Sequence, residues 1–292
     1  MTDASTPSAA TPTPPTPPKT YPHGVTSWID VEQPDPGAGQ RFYGQLFGWQ
    51  FTEAVPPGAP GSYLIATLDG QDVAAMASAQ DGAARWNTYF AVDDADATAA
   101  AVIAQGGTVT SPPQDAGPGG RSVGCLDPGG ISFRLWQARR RLGAQLVNSP
   151  GSWNFSDLVT ADPDAVLPFY RAVFGIVTAD MGTGAGAMLQ VPGYGDHLAS
   201  TSDPGIHERQ AGAPAGFADV IGGIRAPEGD ESSDWHVVFS VADRDAAVAT
   251  AERLGATVLG AQDGVWASWA RLRDPQGATF SVSQFTPPED FG

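Results

Sequence analysis

The stretch Phe42–Trp49, FYGQLFGW, returns 127 positions later as FYRAVFGI at 169–176, and the Asp35-Pro36 ahead of it returns as Asp162-Pro163. A second pair, TYFAVDDADATAAAVIAQGG at 88–107 and VVFSVADRDAAVATAERLGA at 237–256, interleaves with the first. A third is LDPGGISFRLWQ at 126–137 and RDPQGATFSVSQ at 273–284. A chain written twice must be built from units that can each be formed twice, so the repeat narrows the possible folds before composition is considered.

Each copy carries its own local grammar. Asp35 and Asp162 suit helix N-caps, and Pro36 and Pro163 suit the first helical turn. Apolar residues follow at helical spacing, Phe42/Leu46 and Tyr43/Phe47 in one copy, Val166/Phe169/Val173 and Tyr170/Phe174 in the other. Gly48 and Gly175 then stop the helices. Strand-like runs, Val25–Val31 and Trp153–Val159, precede them. The 88–107 and 237–256 segments read as strand, acidic cap, alanine-rich helix and glycine stop, and Asp-Pro-x-Gly reads as a turn before an alternating strand. The expected fold class is α+β, with four strand-helix-strands modules taken in two pairs.

Length and charge fix the class of protein. A chain of 292 residues holds about two domains. Residues 1–22 carry seven Pro among Thr, Ser and Ala, which predicts a disordered or polyproline-like tail. The tail lacks the apolar stretch of a secretory signal, and no run reaches membrane-span length, so a cytoplasmic protein without a membrane partner is expected. The single Cys125 excludes an internal disulfide or a multi-cysteine metal site and reads as a structural thiol. A net charge of −17, with Lys19 the one lysine, makes nucleic acid a poor partner. No glycine-rich dinucleotide or phosphate loop, nucleophile elbow or His-Glu-x-x-His pair occurs, so no cofactor is expected.

The segments DPGAGQRFYGQLFGW, LQVPGYGD, GIHERQAG and RDPQGATFSVSQF, in this order of modules, resemble the vicinal oxygen chelate superfamily over about 25–285. That superfamily includes glyoxalase I, bleomycin-resistance proteins and extradiol dioxygenases. The similarity is to an actinobacterial two-domain subgroup labelled "hydroxylase" or "27 kDa antigen". It implies βαβββ modules paired into two glyoxalase-like domains with curved mixed sheets, each wrapping a small-molecule pocket. The expected boundaries are a tail at 1–22, a first domain at 23–138, a linker at 139–152 and a second domain at 153–288 with an insert near 190–232.

The resemblance also implies where metal ligands would stand. Counting back from the caps Asp35, Asp94, Asp162 and Asp243 by the family's interval gives Trp28, Asn87, Phe155 and His236; counting forward from Asp127 and Asp274 gives Arg134 and Ser281. An indole, an amide and a cation do not hold a divalent ion, and His236 alone makes no site, so no metal is expected. Asp157, which matches Asp30 of the first copy, comes beside His236 if the register shifts by a residue or two.

Strand parity turns Trp28, Tyr89 and Trp136 toward the concave face of the first domain, and Trp153, Phe155 and His236 toward that of the second. With Trp269, these rings form either packed core or the wall of a site for a flat organic molecule. Asp30, Asn87, Arg134, Asp157 and His236 would orient its polar groups, and an Arg134–Asp30 salt bridge is the structural alternative. The insert reads as a lid, with His197 near a strand end beside Asp196 and a solvated His207-Glu208-Arg209 cluster.

The leading reading is metal-independent binding of an aromatic or hydrophobic compound, as sequestration or as a helper in secondary metabolism. The alternative is a metal-free enzyme in which His236 or His197 acts as a base beside Asp157. A metal-dependent lyase or dioxygenase comes third. The partner is a small molecule in each case, and the assembly is a monomer or homodimer.

Overall fold

The computed structural model describes residues 17–58, 61–181 and 187–287. Most of the expected tail, residues 1–16, lies outside the described residues. The first half runs β1 (Thr26–Gln33), α1 (Pro36–Phe47), β2 (Gln50–Glu53), β3 (Tyr63–Leu68), β4 (Gln71–Ser78), β5 (Arg85–Ala91), α2 (Ala95–Ala104), β6 (Thr108–Asp115), β7 (Gly120–Leu126) and β8 (Ser132–Ala138). The second runs β9 (Trp153–Val159), α3 (Pro163–Phe174), β10 (Val177–Asp180), β11 (Ala187–Gln190), α4 (Tyr194–Ser200), α5 (Ile206–Arg209) and β12 (Val220–Arg225). It ends with β13 (Asp234–Ser240), α6 (Arg244–Arg253), β14 (Thr257–Asp263), β15 (Ala267–Arg273) and β16 (Thr279–Phe285).

The four acidic caps act as the sequence predicts. Asp35, Asp94, Asp162 and Asp243 each accept a bond from a backbone N–H of the first helical turn. Gly48 (φ 78°) and Gly175 (φ 73°) close α1 and α3 in the left-handed conformation that other residues rarely adopt.

Each half forms one eight-stranded mixed sheet, in the orders β2-β3-β4-β1-β5-β8-β7-β6 and β10-β11-β12-β9-β13-β16-β15-β14. The two modules of a half meet at an antiparallel centre, β1 with β5 and β9 with β13. The insert is divided by the structure. Residues 191–219 carry α4, α5 and a short 3-10 turn, while 220–225 are β12, the counterpart of β4.

The helices lie on one face of each sheet, and these rear faces cover each other. One apolar core joins Phe90, Phe133 and α2 of the first half to α3, Leu158 and Trp235 of the second. The other joins α1, Ile29 and Val31 to Phe239, Leu272 and Phe280. Two ring contacts repeat by pseudo-symmetry: Phe90 on Phe174 at 4.5 Å and Phe47 on Phe239 at 4.7 Å between centroids.

A polar chain repeats in the same way. Trp86 Nε1 donates to Tyr43 Oη, which donates to Asp274 Oδ2 of the other half at 2.8 Å. Trp235 Nε1 donates to Tyr170 Oη, which donates to Asp127 Oδ2 of the other half at 3.0 Å. Asp127 and Asp274 also bind backbone N–H groups of their own Asp-Pro-x-Gly turns. One carboxylate thereby shapes a turn and receives the partner domain's helix.

The end of the expected loose tail departs from expectation. Tyr21 Oη donates to Ala144 O, Gln145 exchanges bonds with the Lys19 backbone, and Thr20 meets His197. A half-buried tyrosine ring packed against the core gives the otherwise proline-rich residues 17–22 something to hold them. Among the described residues no helix is long and apolar enough to cross a membrane.

Tyr43→Phe and Tyr170→Phe should each lower unfolding free energy by about 1–3 kcal/mol, because each removes one bond from a buried carboxylate and takes the partner from an indole N–H. Urea denaturation measures this; a loss under about 0.5 kcal/mol in both variants would contradict the assigned role.

Candidate functional site

Strand alternation sends a second set of residues to the helix-free face of each sheet. In the first domain these include Trp28, Asp30 and Glu32 on β1, Asn87 and Tyr89 on β5, and Arg134 and Trp136 on β8. They close on one another. Asp30 accepts from Asn87 Nδ2 at 2.8 Å, from Tyr63 Oη at 3.0 Å and from Tyr89 Oη. Trp28 Nε1 donates to the same Tyr63 hydroxyl at 2.9 Å. Arg134 donates to Tyr89 Oη and to Glu32, whose other oxygen takes Arg85 Nε.

Arg134 therefore pairs with Glu32, and reaches Asp30 only through the Tyr89 hydroxyl, where the sequence suggested a direct Arg134–Asp30 bridge. Both partners have long side chains, and the phenol occupies the space between. Burial, followed by the nearby Asp30 carboxylate, raises the pKa of Tyr63 and Tyr89, which fixes both as neutral donors. Trp28 is 7 % exposed and Asp30 fully buried. Tyr63 was invisible to sequence reasoning because the loop before β3 hides its parity.

The second domain replaces this network residue by residue. Asp157 matches Asp30, but the counterparts of Asn87, Tyr89, Arg134 and Trp136 are His236, Val238, Ser281 and Ser283. Asp157 lies opposite His236 in the β9–β13 ladder and accepts from the Gly223 N–H at 2.7 Å. Burial raises its pKa, with that N–H opposing. His236, 2 % exposed, shares a bond through Nε2 with Ser281 Oγ at 2.8 Å.

Two neighbouring atoms are left over. Among the described residues, His236 Nδ1 and Asp234 Oδ1 are buried without a hydrogen-bond partner, and His236 Nδ1 lies 4.0 Å from Asp234 Oδ2. Buried polar atoms in native proteins are nearly always paired, so two orphans side by side are an exception that calls for a cause. Burial, then the Glu231 carboxylate, pushes Asp234 up to about 7; its side chain keeps 42 % of its surface in solvent, which moderates the effect. Burial, then the Arg225 guanidinium, holds His236 down to about 4.

Glu231 sits beside them, clamped by Arg225 at 2.6 and 2.7 Å and by Arg271 at 2.8 Å. Burial pushes its pKa up, but these hydrogen bonds and the Glu228 N–H outweigh it and hold the group at about 2. A cleft of about 130 Å³ opens here, lined by Glu231, Asp234, Leu259, Arg271, Arg273 and Thr279. Trp269 shares the face of β15 with Arg271, and Phe155 the face of β9 with Asp157; both rings are half-buried.

Other expected residues stand elsewhere. A register shift between Phe155 and Trp153 sends Trp153 to the rear core against Phe239, where its Nε1 has no partner among the described residues. His197 lies on α4, whose Tyr194 and Leu198 pack with Trp235, on the face opposite His236; its Nε2 bonds Thr20 Oγ1 and O. It anchors the N-terminal segment, and α4 and α5 are no lid over His236. His207 pairs with Asp196 in solvent. Trp136 donates to Arg141 O and stands edge-on to Tyr89. Cys125 is buried, which pushes its thiol up to about 12, as suits a structural residue.

The residues at the family's ligand positions do not compose a metal site. In the first domain Arg134 brings a cation to one position and Asp30 has its acceptor sites taken by three side-chain donors. In the second, one imidazole faces a serine and a phenyl ring, and among the described residues no three His, Cys, Asp or Glu side chains converge.

Comparison with known proteins agrees with this architecture. A glyoxalase/bleomycin resistance protein/dioxygenase superfamily model matches residues 27–135, and a glyoxalase-like domain model matches 155–283. The chain is 37 % identical to the putative glyoxylase CFP32 of Mycobacterium tuberculosis over 276 residues, covering 92 % of this chain and 98 % of that protein. It is 34 % identical to the anthracycline biosynthesis protein DnrV of Streptomyces peucetius over 279 residues, covering 89 % and 92 %. Among solved structures, the Mn(II)-bound glyoxalase from Novosphingobium aromaticivorans superposes with a TM-score of 0.56 at 16 % identity, over 92 % of this chain and 86 % of that one. The 2,3-dioxygenase LapB from Pseudomonas sp. KL28 superposes with a TM-score of 0.57 at 16 % identity, over 94 % and 97 %. At such identities the superpositions speak for the fold alone.

Linkage gives the pair opposite signs. His236 binds its proton less readily folded than unfolded, so its contribution is complete above its ordinary 6.5 and is lost as pH falls through about 4. Asp234 holds its proton more tightly when folded, so stability declines as pH rises from its ordinary 3.8 through about 7. In urea denaturation across that range, His236→Gln should remove the acid loss and Asp234→Asn the loss toward neutral pH. Unchanged pH profiles in both variants would contradict the assigned environments.

Proposed function

This chain belongs to the glyoxalase/bleomycin resistance protein/dioxygenase superfamily, and within it we propose a metal-independent binder of a planar, hydroxylated aromatic compound, serving secondary metabolism in the cytoplasm. The single observation that carries the reading is the orphaned pair His236 Nδ1 and Asp234 Oδ1 beside a cleft. A ligand hydroxyl or carbonyl supplies the partner each lacks. Phe155 and Trp269 supply apolar area on the same face, worth roughly 0.5–1.5 kcal/mol per stacked pair beyond burial.

The reading narrows the candidate set to the second domain. In the first, Trp28, Asp30, Asn87, Tyr89 and Arg134 satisfy one another and form a scaffold, so a ligand would have to break bonds already made. The second-domain cleft, about 130 Å³, is smaller than a drug-sized pocket of roughly 300–1,000 Å³. Entry therefore requires side chains at the cleft to move aside. The similarity to an anthracycline biosynthesis protein supports a polycyclic aromatic as the ligand class.

A second reading, metal-free catalysis, is favoured by a different residue from the one the sequence suggested. An imidazole with a pKa of about 4 is a weak base, whereas Asp234 at about 7 changes protonation near neutral pH. If the protein turns its ligand over, Asp234 is the proton-transfer group and His236 an acceptor that orients the ligand.

Titrating the purified chain with 1,8-dihydroxyanthraquinone and following tryptophan fluorescence tests the proposal. Saturable quenching is expected, weakened at least about tenfold by Asp234→Asn or Trp269→Ala and unchanged by Trp136→Phe. Binding that survives both second-domain variants, or stoichiometric metal retained by the protein through desalting, would overturn it. Turnover with a bell or step near pH 7 that Asp234→Asn abolishes would select the catalytic reading.

A further inference from the structure

The pseudo-symmetry that repeats the interdomain contacts fails between α1 and the Asp274 turn. Where α3 meets the Asp127 turn, the side chain of Val166 packs down on Gly129, and a Cβ on that glycine would stand 3.0 Å from Val166 Cγ1. The corresponding residues where α1 meets the Asp274 turn are Gly39 and Gln276. Gly39 brings no side chain over the turn, the space at its Cβ position being taken by Met76 and Gln33, and Gln276 turns away to bond the Asp35 backbone N–H and carbonyl across the domain boundary. A cleft of about 360 Å³ opens there between α1, α6 and the turn.

The cleft is lined differently from its filled twin. Arg41, Gln45 and Arg253 border it, where the duplicated positions hold Pro168, Ala172 and Ala104. Its apolar floor is Phe42, 5 % exposed, with Leu254 beside it. Among the described residues neither Arg41 nor Arg253 meets a carboxylate, in a chain of net charge −17 whose other arginines are mostly paired. Arg253 gives one N–H to Ala249 O and one to Thr250 Oγ1, and Arg41 donates to no group described.

Asp274 also lines the cleft, with its acceptor sites already taken. Oδ2 accepts from Gln33 and Tyr43, and Oδ1 from three backbone N–H groups. Its one negative charge stands against two guanidinium groups in the lining, which leaves the cleft with a net positive field over an apolar floor. Guanidinium pairs are well suited to carboxylates, which they can bind with two parallel hydrogen bonds.

We propose that this interdomain cleft binds a small organic carboxylate, with Arg41 and Arg253 gripping the carboxylate and Phe42 and Leu254 contacting its hydrocarbon. The site is on the rear of the sheets, separate from the His236–Asp234 face. Because Asp274 in its lining receives Tyr43 from the other domain, occupancy also braces the interdomain contact.

Calorimetric titration of the full chain with 1-naphthoate, its neutral counterpart 1-naphthalenemethanol, and inorganic phosphate tests this. Naphthoate should bind with a Kd of about 1 mM or tighter, and both other probes at least about tenfold more weakly. Arg41→Gln/Arg253→Gln should lose naphthoate binding by at least about tenfold with its melting temperature in the absence of ligand unchanged, while Asp234→Asn binds as the parent does. Both arginines are exposed at the rim, so the double variant keeps the fold. Equal binding of the alcohol or of phosphate, undiminished binding by the double variant, or no saturation by about 5 mM naphthoate would each overturn the proposal.

Discussion

A tyrosine hydroxyl reaching into the turn of the opposite domain is the contact on which the rest depends. Tyr43 and Tyr170 each carry an indole N–H on one side and an aspartate on the other, so each domain's first helix is tied to the other domain's last turn. The rings around them, Phe47 with Phe239 and Phe174 with Phe90, make the same exchange in apolar form. Neither sheet covers its own rear face alone. The two faces bury each other, which leaves the helix-free faces as the surfaces free to diverge.

They have diverged in opposite directions. The first domain built a closed set of bonds around Asp30, in which phenols, an amide and a guanidinium leave little for a ligand to gain. The second kept the aspartate and lost the donors. Val238, Ser281 and Ser283 stand where Tyr89, Arg134 and Trp136 fill the first face, and the polar capacity that remains is concentrated on His236, Asp234 and the clamped Glu231. A duplicated fold permits this division, since one copy can serve as scaffold while the other carries a site.

Much of the architecture could be read from the chain. The caps Asp35, Asp94, Asp162 and Asp243, the stops at Gly48 and Gly175 and the alternating strands are local signals, and local signals survive folding. Asp157 stands directly opposite His236, where the sequence places it only on a register shift of a residue or two. The site was harder to read for three physical reasons. A strand irregularity reverses Trp153, which parity alone does not reveal. Long side chains choose partners by reach, so Arg134 found Glu32 and Tyr89. Asp127 and Asp274 looked like turn residues because their second role, receiving a tyrosine from the other domain, is a long-range contact without a local signature.

The first domain's inner face is shut by its own bonds, and under the proposed function a ligand enters at the second. Indole N–H resonances report on both at once, because Trp28 is bonded to Tyr63 inside the first network while Trp269 stands on the face of the second. In a ¹H–¹⁵N spectrum recorded with and without 1,8-dihydroxyanthraquinone, the Trp269 indole signal should move and that of Trp28 should stay fixed and slow to exchange with solvent. A shift confined to Trp28, with Trp269 unmoved, would contradict it.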